Sequence, residues 1–428
     1  MFARLKVRHE FSWNVLTSLS GSAISQAIPI AVMPILAHLY DPSMFGIFSL
    51  YIALSSICSV MATGRYELAI MQPKQDIEAV NIAGLSLICS AFMALVFLLL
   101  IYVLHENLVS LIGNINISNW LYLIPLSIFF TGIFQVLSYW SNRKKKFSRI
   151  AMSKVVQGSS TAAIQLVMGV KKFNGFGLIL GNFLGLVLAV LWFGKNIWKR
   201  DKELTGFISA PKMWFCLKKY RNFPIYSLWG AMLDSAALQM PILMLSKFYS
   251  TEVTGIFSLT FRTLNLPMVL IAASISPVLF QRVTYLNNHN PQLLYSHVIK
   301  AFCVLLVLSL PFLLIMLFWG VDLFSMVFGP QWAQAGEYAS IIVLAIVVRF
   351  AVSPLSTVLA IEHNLKLGFI WQIIYFFTIS VTLYFAAQYS IKIFIIAFVI
   401  HEVILYLIYF YLILMGTKQY QKYKHNQV

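Results

Sequence analysis

Apolar residues occur along this chain in blocks of about twenty, separated by shorter polar segments. An α-helix needs roughly 20 apolar residues to cross the hydrocarbon core of a bilayer. The pattern therefore predicts an all-α integral membrane protein with twelve membrane-spanning helices. Their approximate ranges are 13–37, 45–64, 82–104, 119–140, 150–169, 175–194, 224–246, 253–280, 298–319, 335–360, 367–387 and 392–415.

One stretch of about thirty residues occurs twice. Residues 21–50 and 230–259 each begin with Gly, contain Met-Pro-Ile-Leu and end with Gly-Ile-Phe-Ser-Leu. The copies lie 209 residues apart at both ends. Duplication at half the chain length is typical of transporters built from two related halves. Six helices per half is an even number, so we expect two parallel six-helix bundles related by a pseudo-twofold axis along the membrane normal.

The composition supports this class. Hydrophobic residues make up 60% of the chain and charged residues 11%, which excludes a water-soluble domain. The first apolar block continues beyond the length of a signal-peptide core, so we expect it to remain as a helix. The four cysteines are scattered without paired spacing, and we interpret them as small core residues. No metal-ligand cluster, nucleophile motif or nucleotide-binding loop is present in the sequence, and we expect no cofactor.

The net charge of +17 has two interpretations. In a soluble protein it would suggest a nucleic-acid partner. Here 25 of the 31 Lys and Arg residues fall in segments on one side of the membrane, four fall on the other side, and two lie within helices. This asymmetry follows the positive-inside rule, so it predicts that both termini are cytoplasmic and indicates no nucleic-acid partner.

Four regions follow from this topology: residues 1–194 and 224–415 as six-helix bundles, 195–223 as a basic cytoplasmic connection, and 416–428 as a basic tail. Within the connection, we expect a short interfacial helix after Pro211. Its apolar face would carry Met213, Trp214, Leu217 and Tyr220. The alternative is a solvated linker that happens to contain aromatic residues.

Several segments resemble a known family. They are PILAHLYDPSMFGIFSLYIAL, GRYELAIMQPKQDIEAVN, FPIYS, QMPILMLSKF, GIFSLTFR, ISPVLFQR and FGPQWAQAGEYA. In this order they are similar to the oligosaccharide flippases of the multidrug/oligosaccharidyl-lipid/polysaccharide exporter superfamily. The resemblance implies a MATE-like fold in the bacterial inner membrane. It also implies that the chain flips undecaprenyl-pyrophosphate-linked repeat units of O-antigen or another surface polysaccharide to the outer leaflet by alternating access.

Charged residues within the apolar blocks are candidates for the substrate site, because each costs at least about 2.5 kcal/mol at the bilayer centre. Asp234 and Arg262 fall near mid-membrane on the seventh and eighth predicted helices. They form either a structural ion pair or a site in which Arg262 binds an anionic pyrophosphate or sugar. Arg349, five residues before Pro354, has the same two interpretations: a cavity-facing cation, or a cation that reaches carbonyls freed by the proline.

Two further pairs are weaker candidates. His401 and Glu402 lie midway along the twelfth predicted helix, either as a protonatable coupling site or as a satisfied hydrogen-bonded pair. Arg65 and Glu67 lie at the cytoplasmic end of the second predicted helix. There they either guide the phosphate head group or anchor the helix at the interface.

Three functions compete. A cation-coupled multidrug antiporter of the same superfamily is the near alternative, although Arg262 and Arg349 favour anionic cargo. A membrane-embedded polysaccharide polymerase or ligase is less favoured, because the longest predicted outer loops carry few ionisable residues. The sequence leaves open whether H⁺ or Na⁺ drives transport and whether polysaccharide assembly proteins associate with the chain. Besides the lipid-linked anionic oligosaccharide, membrane lipids are expected partners.

Overall fold

A computed structural model describes residues 27–29, 31–173, 175–359 and 365–425. These residues are helical almost throughout and contain no β-strand. The helices are α1 Ala27–Leu39, α2 Pro42–Ser59, α3 Asp76–Val103, α4 His105–Ile112, α5 Ser118–Leu121, α6 Ile124–Arg143, α7 Phe147–Val170, α8 Phe176–Asp201, α9 Ala210–Lys219, α10 Leu228–Phe248, α11 Thr251–His289, α12 Leu294–Phe328, α13 Ala333–Val352, α14 Leu365–Ala386 and α15 Ile391–His425.

A helix is present at each of the twelve positions that the apolar blocks predict, although the first half of the first predicted helix lies outside the described residues. Within the described residues, nine helices are long and apolar enough to cross a membrane, whereas α1 and the apolar part of α14 are shorter. The helix α7 is long enough but carries many polar residues. The all-α membrane fold is therefore confirmed, and the count of twelve spans stays a prediction.

Helix boundaries differ from the prediction where the apolar pattern was a poor guide. The helix α3 begins at Asp76, inside a polar segment, because Asp76 and Glu78 in its first turn suit the positive end of a helix dipole. The tenth predicted helix ends early, at Val352, and a 3₁₀ turn with Pro354 near its start follows. Proline has no N–H to donate, so the regular α-helix stops there.

The described chain divides into two compact units. The first extends up to Gln239 and includes Ser250–Gly255, while the second comprises Met240–Tyr249 and the chain from Ile256 onward. In the first unit α7 packs along α8, and α6 packs against α2, α3 and α8. In the second unit α13 packs between α12 and α15, and α14 packs against α15.

Glycines allow the closest approaches within the first unit. Gly177, Gly181 and Gly185 recur every four residues along one face of α8. A Cβ on Gly181 would lie 2.5 Å from the Gln165 side chain of α7, and one on Gly185 would collide with the Thr161 hydroxyl. Small residues at this spacing let two membrane helices touch along their backbones.

The two copies of the sequence repeat meet in the first unit through a reciprocal glycine contact. A Cβ on Gly46 would collide with the carbonyl oxygen of Thr251, and a Cβ on Gly255 would collide with that of Pro42. Gly255 and Thr251 each follow their counterparts, Gly46 and Pro42, by 209 residues. The contact is therefore reciprocal between the two copies.

The basic connection folds onto the first unit through α9. Asn81 of α3 donates to the carbonyl of Phe207 (3.1 Å) and accepts from the backbone N–H of Ser209 (3.0 Å). Lys219 and Tyr220 both donate to Glu78. The predicted helix is present, and Met213, Leu217 and Tyr220 pack against the core cluster that contains the buried Cys216.

Trp214, also on the predicted apolar face of α9, has a side chain that is 60% exposed. The residue that α9 buries against α3 is Cys216. Phe215 is exposed beside Trp214, and the Lys218 ammonium lies 5.2 Å from the Trp214 ring. This exposed aromatic and cationic side of α9 suits the predicted membrane interface.

The longest apolar helices bury little of their surface. Only 11% of the most apolar window of α3 or of α12 is buried inside the protein. Large side chains such as Phe92, Leu99 and Phe318 are exposed along them. Exposing these apolar side chains to water would cost about 25 cal/mol for each Å² of apolar surface. Contact with lipid tails carries no such cost.

Candidate functional site

A buried polar cluster in the second unit brings together three of the residues singled out in the sequence. Arg349 is in the last turn of α13, and His401 and Glu402 lie on α15. Because α15 packs against both α13 and α14, these side chains meet Tyr375 and Thr378 of α14. We refer to these five residues as the α15 cluster.

Glu402 is the centre of the α15 cluster and is 1% exposed. The Tyr375 hydroxyl donates to its Oε1 at 2.6 Å, and an Arg349 guanidinium nitrogen lies 3.9 Å from its Oε2. The first contact is a short charge-assisted hydrogen bond, and the second is a longer ion pair. Together they satisfy the carboxyl group in an otherwise apolar environment, where an unpaired polar group would be costly.

The hydrogen bonds around His401 favour the tautomer with its proton on Nε2. Thr378 uses its one hydroxyl proton on the carbonyl of Ile374, 2.7 Å away. Its oxygen must then accept from Nε2 of His401, at 3.0 Å. Neutral His401 therefore leaves Nδ1 without a proton. This atom is buried, has no hydrogen-bond partner among the described residues, and lies 3.8 Å from Oε1 of Glu402.

The arrangement provides one vacant proton-accepting atom beside a carboxylate. With Glu402 ionised, Arg349 charged and His401 neutral, the three groups carry no net charge.

Aromatic rings line one side of the cluster. The Arg349 guanidinium carbon lies 5.7 Å from the centre of the Tyr406 ring, which is within the range of cation–π attraction. Trp371 stacks on Tyr409 with 4.3 Å between ring centres and contacts Tyr375. Sugars also stack on aromatic faces, but Trp371 and Tyr406 are themselves buried.

Tyr375 and Thr378 were missed by the sequence analysis. They lie three residues apart in an apolar block, a spacing that places two polar groups on one helix face. That spacing was the available signal. It was weak because tyrosine and threonine are common in membrane helices and carry no charge.

The first unit contains the second group of predicted residues, in the turn after α2. Gly64 and Arg65 adopt positive φ values of 59° and 64°, an uncommon conformation for arginine. The turn brings an Arg65 guanidinium nitrogen within 3.5 Å of Glu67, and the Thr63 hydroxyl donates to the same carboxylate. Nε of Arg65 is buried without a hydrogen-bond partner in the described part of the chain.

Burial raises the pKa of Glu67 above the usual value for a carboxyl, while the Thr63 hydroxyl and the Arg65 charge lower it in part. Glu67 is 1% exposed. It is therefore a protonatable group in a turn at the end of α2 that also presents an arginine. The structure brings Arg65 and Glu67 together, and their role stays a prediction.

The remaining two predicted residues, Asp234 and Arg262, lie on consecutive helices of the chain. Asp234 is on α10 with an exposed side chain, and Arg262 is on α11 with a half-buried one. Asp234 belongs to the first unit and Arg262 to the second, and the predicted ion pair between them stays a prediction. Among the described residues no group of three or more His, Cys, Asp or Glu side chains is arranged to hold a metal ion.

Several solved membrane transporters share this fold. An inward-facing multidrug resistance MATE family transporter of the MOP superfamily has a TM-score of 0.66 at 13% identity, with 95% of each chain covered. A mutant of the Vibrio cholerae MATE transporter VcmN has a TM-score of 0.60 at 10% identity, over 100% of this chain and 99% of that one. A MOP superfamily transporter from Pyrococcus furiosus has a TM-score of 0.54 at 14% identity, over 95% and 96% of the two chains.

Sequence comparison identifies the family. No curated protein sequence gives a significant match. Residues 35–337, which are more than half of the chain, match the family described as "Polysaccharide biosynthesis protein". The structures above are too distant in sequence to indicate a substrate, and they establish the MATE-like fold that the sequence predicted. This chain is therefore a multi-pass membrane protein that belongs to the polysaccharide biosynthesis protein family.

Proposed function

We propose that this protein flips undecaprenyl-pyrophosphate-linked oligosaccharide from the cytoplasmic to the outer leaflet of a bacterial inner membrane, for O-antigen or another surface polysaccharide. The observation that carries the proposal is the match of residues 35–337 to the polysaccharide biosynthesis family. The positive-inside asymmetry favours cytoplasmic termini. The transporter works by alternating access and carries out no catalysis.

Arginines suit this cargo because a guanidinium stays charged and binds phosphate oxygens through paired donors. In our proposal Arg262 and Arg349 bind the pyrophosphate or acidic sugars within the membrane, and Arg65 meets the phosphate at the cytoplasmic side. Arg349 remains 23% exposed although its partner Glu402 is 1% exposed. Its guanidinium thus faces accessible space on one side and the α15 cluster on the other.

In the same proposal, cargo binding at Arg349 is linked to protonation of the α15 cluster. When cargo engages Arg349, Glu402 loses part of its counter-charge, and a proton on Nδ1 of His401 replaces it. When the proton leaves, Glu402 attracts Arg349 again and cargo binding weakens. Proton binding and cargo binding at Arg349 thus favour each other, as thermodynamic linkage requires. Sodium coupling remains the competing case, and Asp234 and Glu67 are the other candidate ion-coupling groups.

The decisive experiment is deletion of the gene, followed by analysis of lipid-linked intermediates. Repeat units trapped on the cytoplasmic leaflet are the expected result. Unpolymerised units on the outer leaflet would instead indicate the polymerase or ligase function and would refute the flippase.

Site variants test the role of the arginines. Arg262→Ala and Arg349→Ala should each abolish surface polysaccharide while membrane insertion stays normal. Lys392→Ala is the control, because this substitution at the start of α15 removes one positive charge outside the candidate sites. Full export by both arginine variants would contradict the cationic substrate site.

A cation-coupled multidrug antiporter is the second candidate, favoured by the fold shared with multidrug MATE transporters. It predicts that deletion lowers resistance to cationic drugs and leaves lipid-linked intermediates unchanged. Deletion therefore separates the two functions in one strain.

A further inference from the structure

An apolar cleft of about 250 Å³ lies between α11 and α12 in the second unit, near the turn that joins them. Its lining is mostly aliphatic and includes Leu279 and Val304. Its charged lining residues are Arg282 and Lys300, accompanied by His297. No acidic side chain lines it among the described residues, and neither cation has an acidic partner there.

The two cations lie at one level of the cleft, and aliphatic residues line it on both sides of that level. Arg282 lies seven residues before the end of α11, and Lys300 six residues after the start of α12. At about 1.5 Å per residue, both cations are roughly 10 Å from the turn on facing helices. Leu279, Ile275 and Val304 continue the cleft one to two helical turns away from these cations. The cleft thus combines an aliphatic wall with two cations at one level.

We infer that this cleft binds an anionic glycerophospholipid, with its phosphate between Arg282 and Lys300 and part of one acyl chain against the aliphatic wall. The volume is below the roughly 300–1,000 Å³ of pockets that enclose a whole small ligand, so it holds a chain segment rather than an entire lipid. The positive-inside distribution predicts that this turn faces the cytoplasm. Basic pockets between membrane helices on that side bind anionic head groups.

Bulk phospholipid is the occupant that the geometry favours. The cleft is formed by the second unit alone, and its rim includes Val304, which is 64% exposed, and the exposed Arg282. A ligand therefore enters sideways from the surrounding leaflet. Arg282 is held over the Tyr285 ring at 5.7 Å and lies 3.5 Å from His297, so the rim is basic without being neutralised by the protein.

Photocrosslinking of the full chain tests the inference. The protein is placed in phosphatidylcholine nanodiscs that contain a small fraction of phosphatidylglycerol with a diazirine in one acyl chain. Crosslinks should concentrate on the peptides that contain Leu279 and Val304. Equal labelling of these peptides by diazirine-bearing phosphatidylcholine would overturn the inference, and so would displacement of the label by a polyprenyl phosphate.

Two kinds of variant test separately the contribution of the cations and the contribution of the apolar cleft to lipid binding. Arg282→Gln/Lys300→Gln should lower apparent affinity for the labelled lipid about twenty-five-fold, because each cation near an anionic surface contributes roughly five-fold. The control Lys199→Gln/Arg200→Gln removes two exposed charges at the end of α8 and should label like the unaltered protein.

Ala301→Phe fills the cleft without changing charge and should abolish the crosslinks. Each variant is first shown to be monodisperse with unchanged helix content. Unchanged labelling in the Arg282/Lys300 double variant, or in Ala301→Phe, would refute the site.

Discussion

The hydrogen bond between Tyr375 and Glu402 offers a quantitative test of the α15 cluster. The two oxygens are 2.6 Å apart and both side chains are buried. A hydrogen bond to a charged group contributes about 1.5–3 kcal/mol. Tyr375→Phe removes only the hydroxyl, so we expect the free energy of unfolding to fall by about 2 kcal/mol. Arg349, at 3.9 Å, is too distant to replace the bond.

The charge on Glu402 should account for about half of the roughly 2 kcal/mol that Tyr375→Phe is expected to cost. Glu402→Gln keeps the acceptor oxygen and removes the charge, and neutral hydrogen bonds are about half as strong as charge-assisted ones. Tyr375→Phe should therefore cost about 1 kcal/mol in the Glu402→Gln background. The expected coupling energy of the double-mutant cycle is about 1 kcal/mol, above the roughly 0.5 kcal/mol within which independent sites add.

The assay is reversible unfolding of the full chain in mixed micelles, titrated with a denaturing detergent. Tyr384→Phe is the matched control, because Tyr384 lies on the same helix and is 49% exposed. Its ring contacts with Phe248 and Phe385 survive in phenylalanine, so its effect should stay within about 0.5 kcal/mol. If Tyr375→Phe costs the same in both backgrounds, Glu402 is not the ionised partner of Tyr375 and the coupling mechanism fails.

Three further predictions concern the first unit. Gly46→Ala should lower the midpoint of thermal unfolding by several degrees, because the new Cβ would collide with backbone atoms. The control Gly194→Ala places its Cβ in open space and should leave the midpoint unchanged. Equal midpoints for the two variants would refute the glycine contact. Because the pKa of Glu67 is raised in the folded protein, its protonated form adds to the free energy of unfolding. This contribution is fully present below the carboxyl pKa of the unfolded chain, about 4.3, and is lost as pH rises through the pKa of Glu67 in the folded protein. Glu67→Gln should therefore flatten stability against pH, and an unchanged slope would contradict this sign. Asn81→Ala removes the hydrogen-bond partner of two backbone groups in the connection, so amide hydrogen exchange in residues 202–209 should become faster. The control Asn196→Ala loses only a hydrogen bond within its own helix and should leave that exchange unchanged.

The apolar pattern was sufficient to predict the helices because lipid cannot satisfy backbone polar groups, so a spanning segment must satisfy them internally as a helix. Local chemistry modified the ends: Asp76 and Glu78 extend α3 into a polar segment, and Pro354 shortens the tenth predicted helix. Both signals were present in the sequence, but apolarity alone does not report them.

The charged members of the candidate sites were visible for the same physical reason. A charge in an apolar block is costly, so Arg349, His401 and Glu402 stood out as residues in need of partners. Their neutral partners did not. Tyr375 and Thr378 became identifiable once α14 packed on α15, because a hydrogen bond depends on which helix faces meet, and an apolar block carries no record of its neighbours.

The repeat illustrates the same division. Counting residues showed that 21–50 and 230–259 are copies, and the charge asymmetry predicted how each copy is oriented. The sequence could not show that Gly46 and Gly255 lie against each other's helices, nor that α11 and α12 leave an amphipathic cleft at their turn. Such contacts form between segments far apart in the chain, and packing at the scale of one methyl group decides where backbones touch and where space remains.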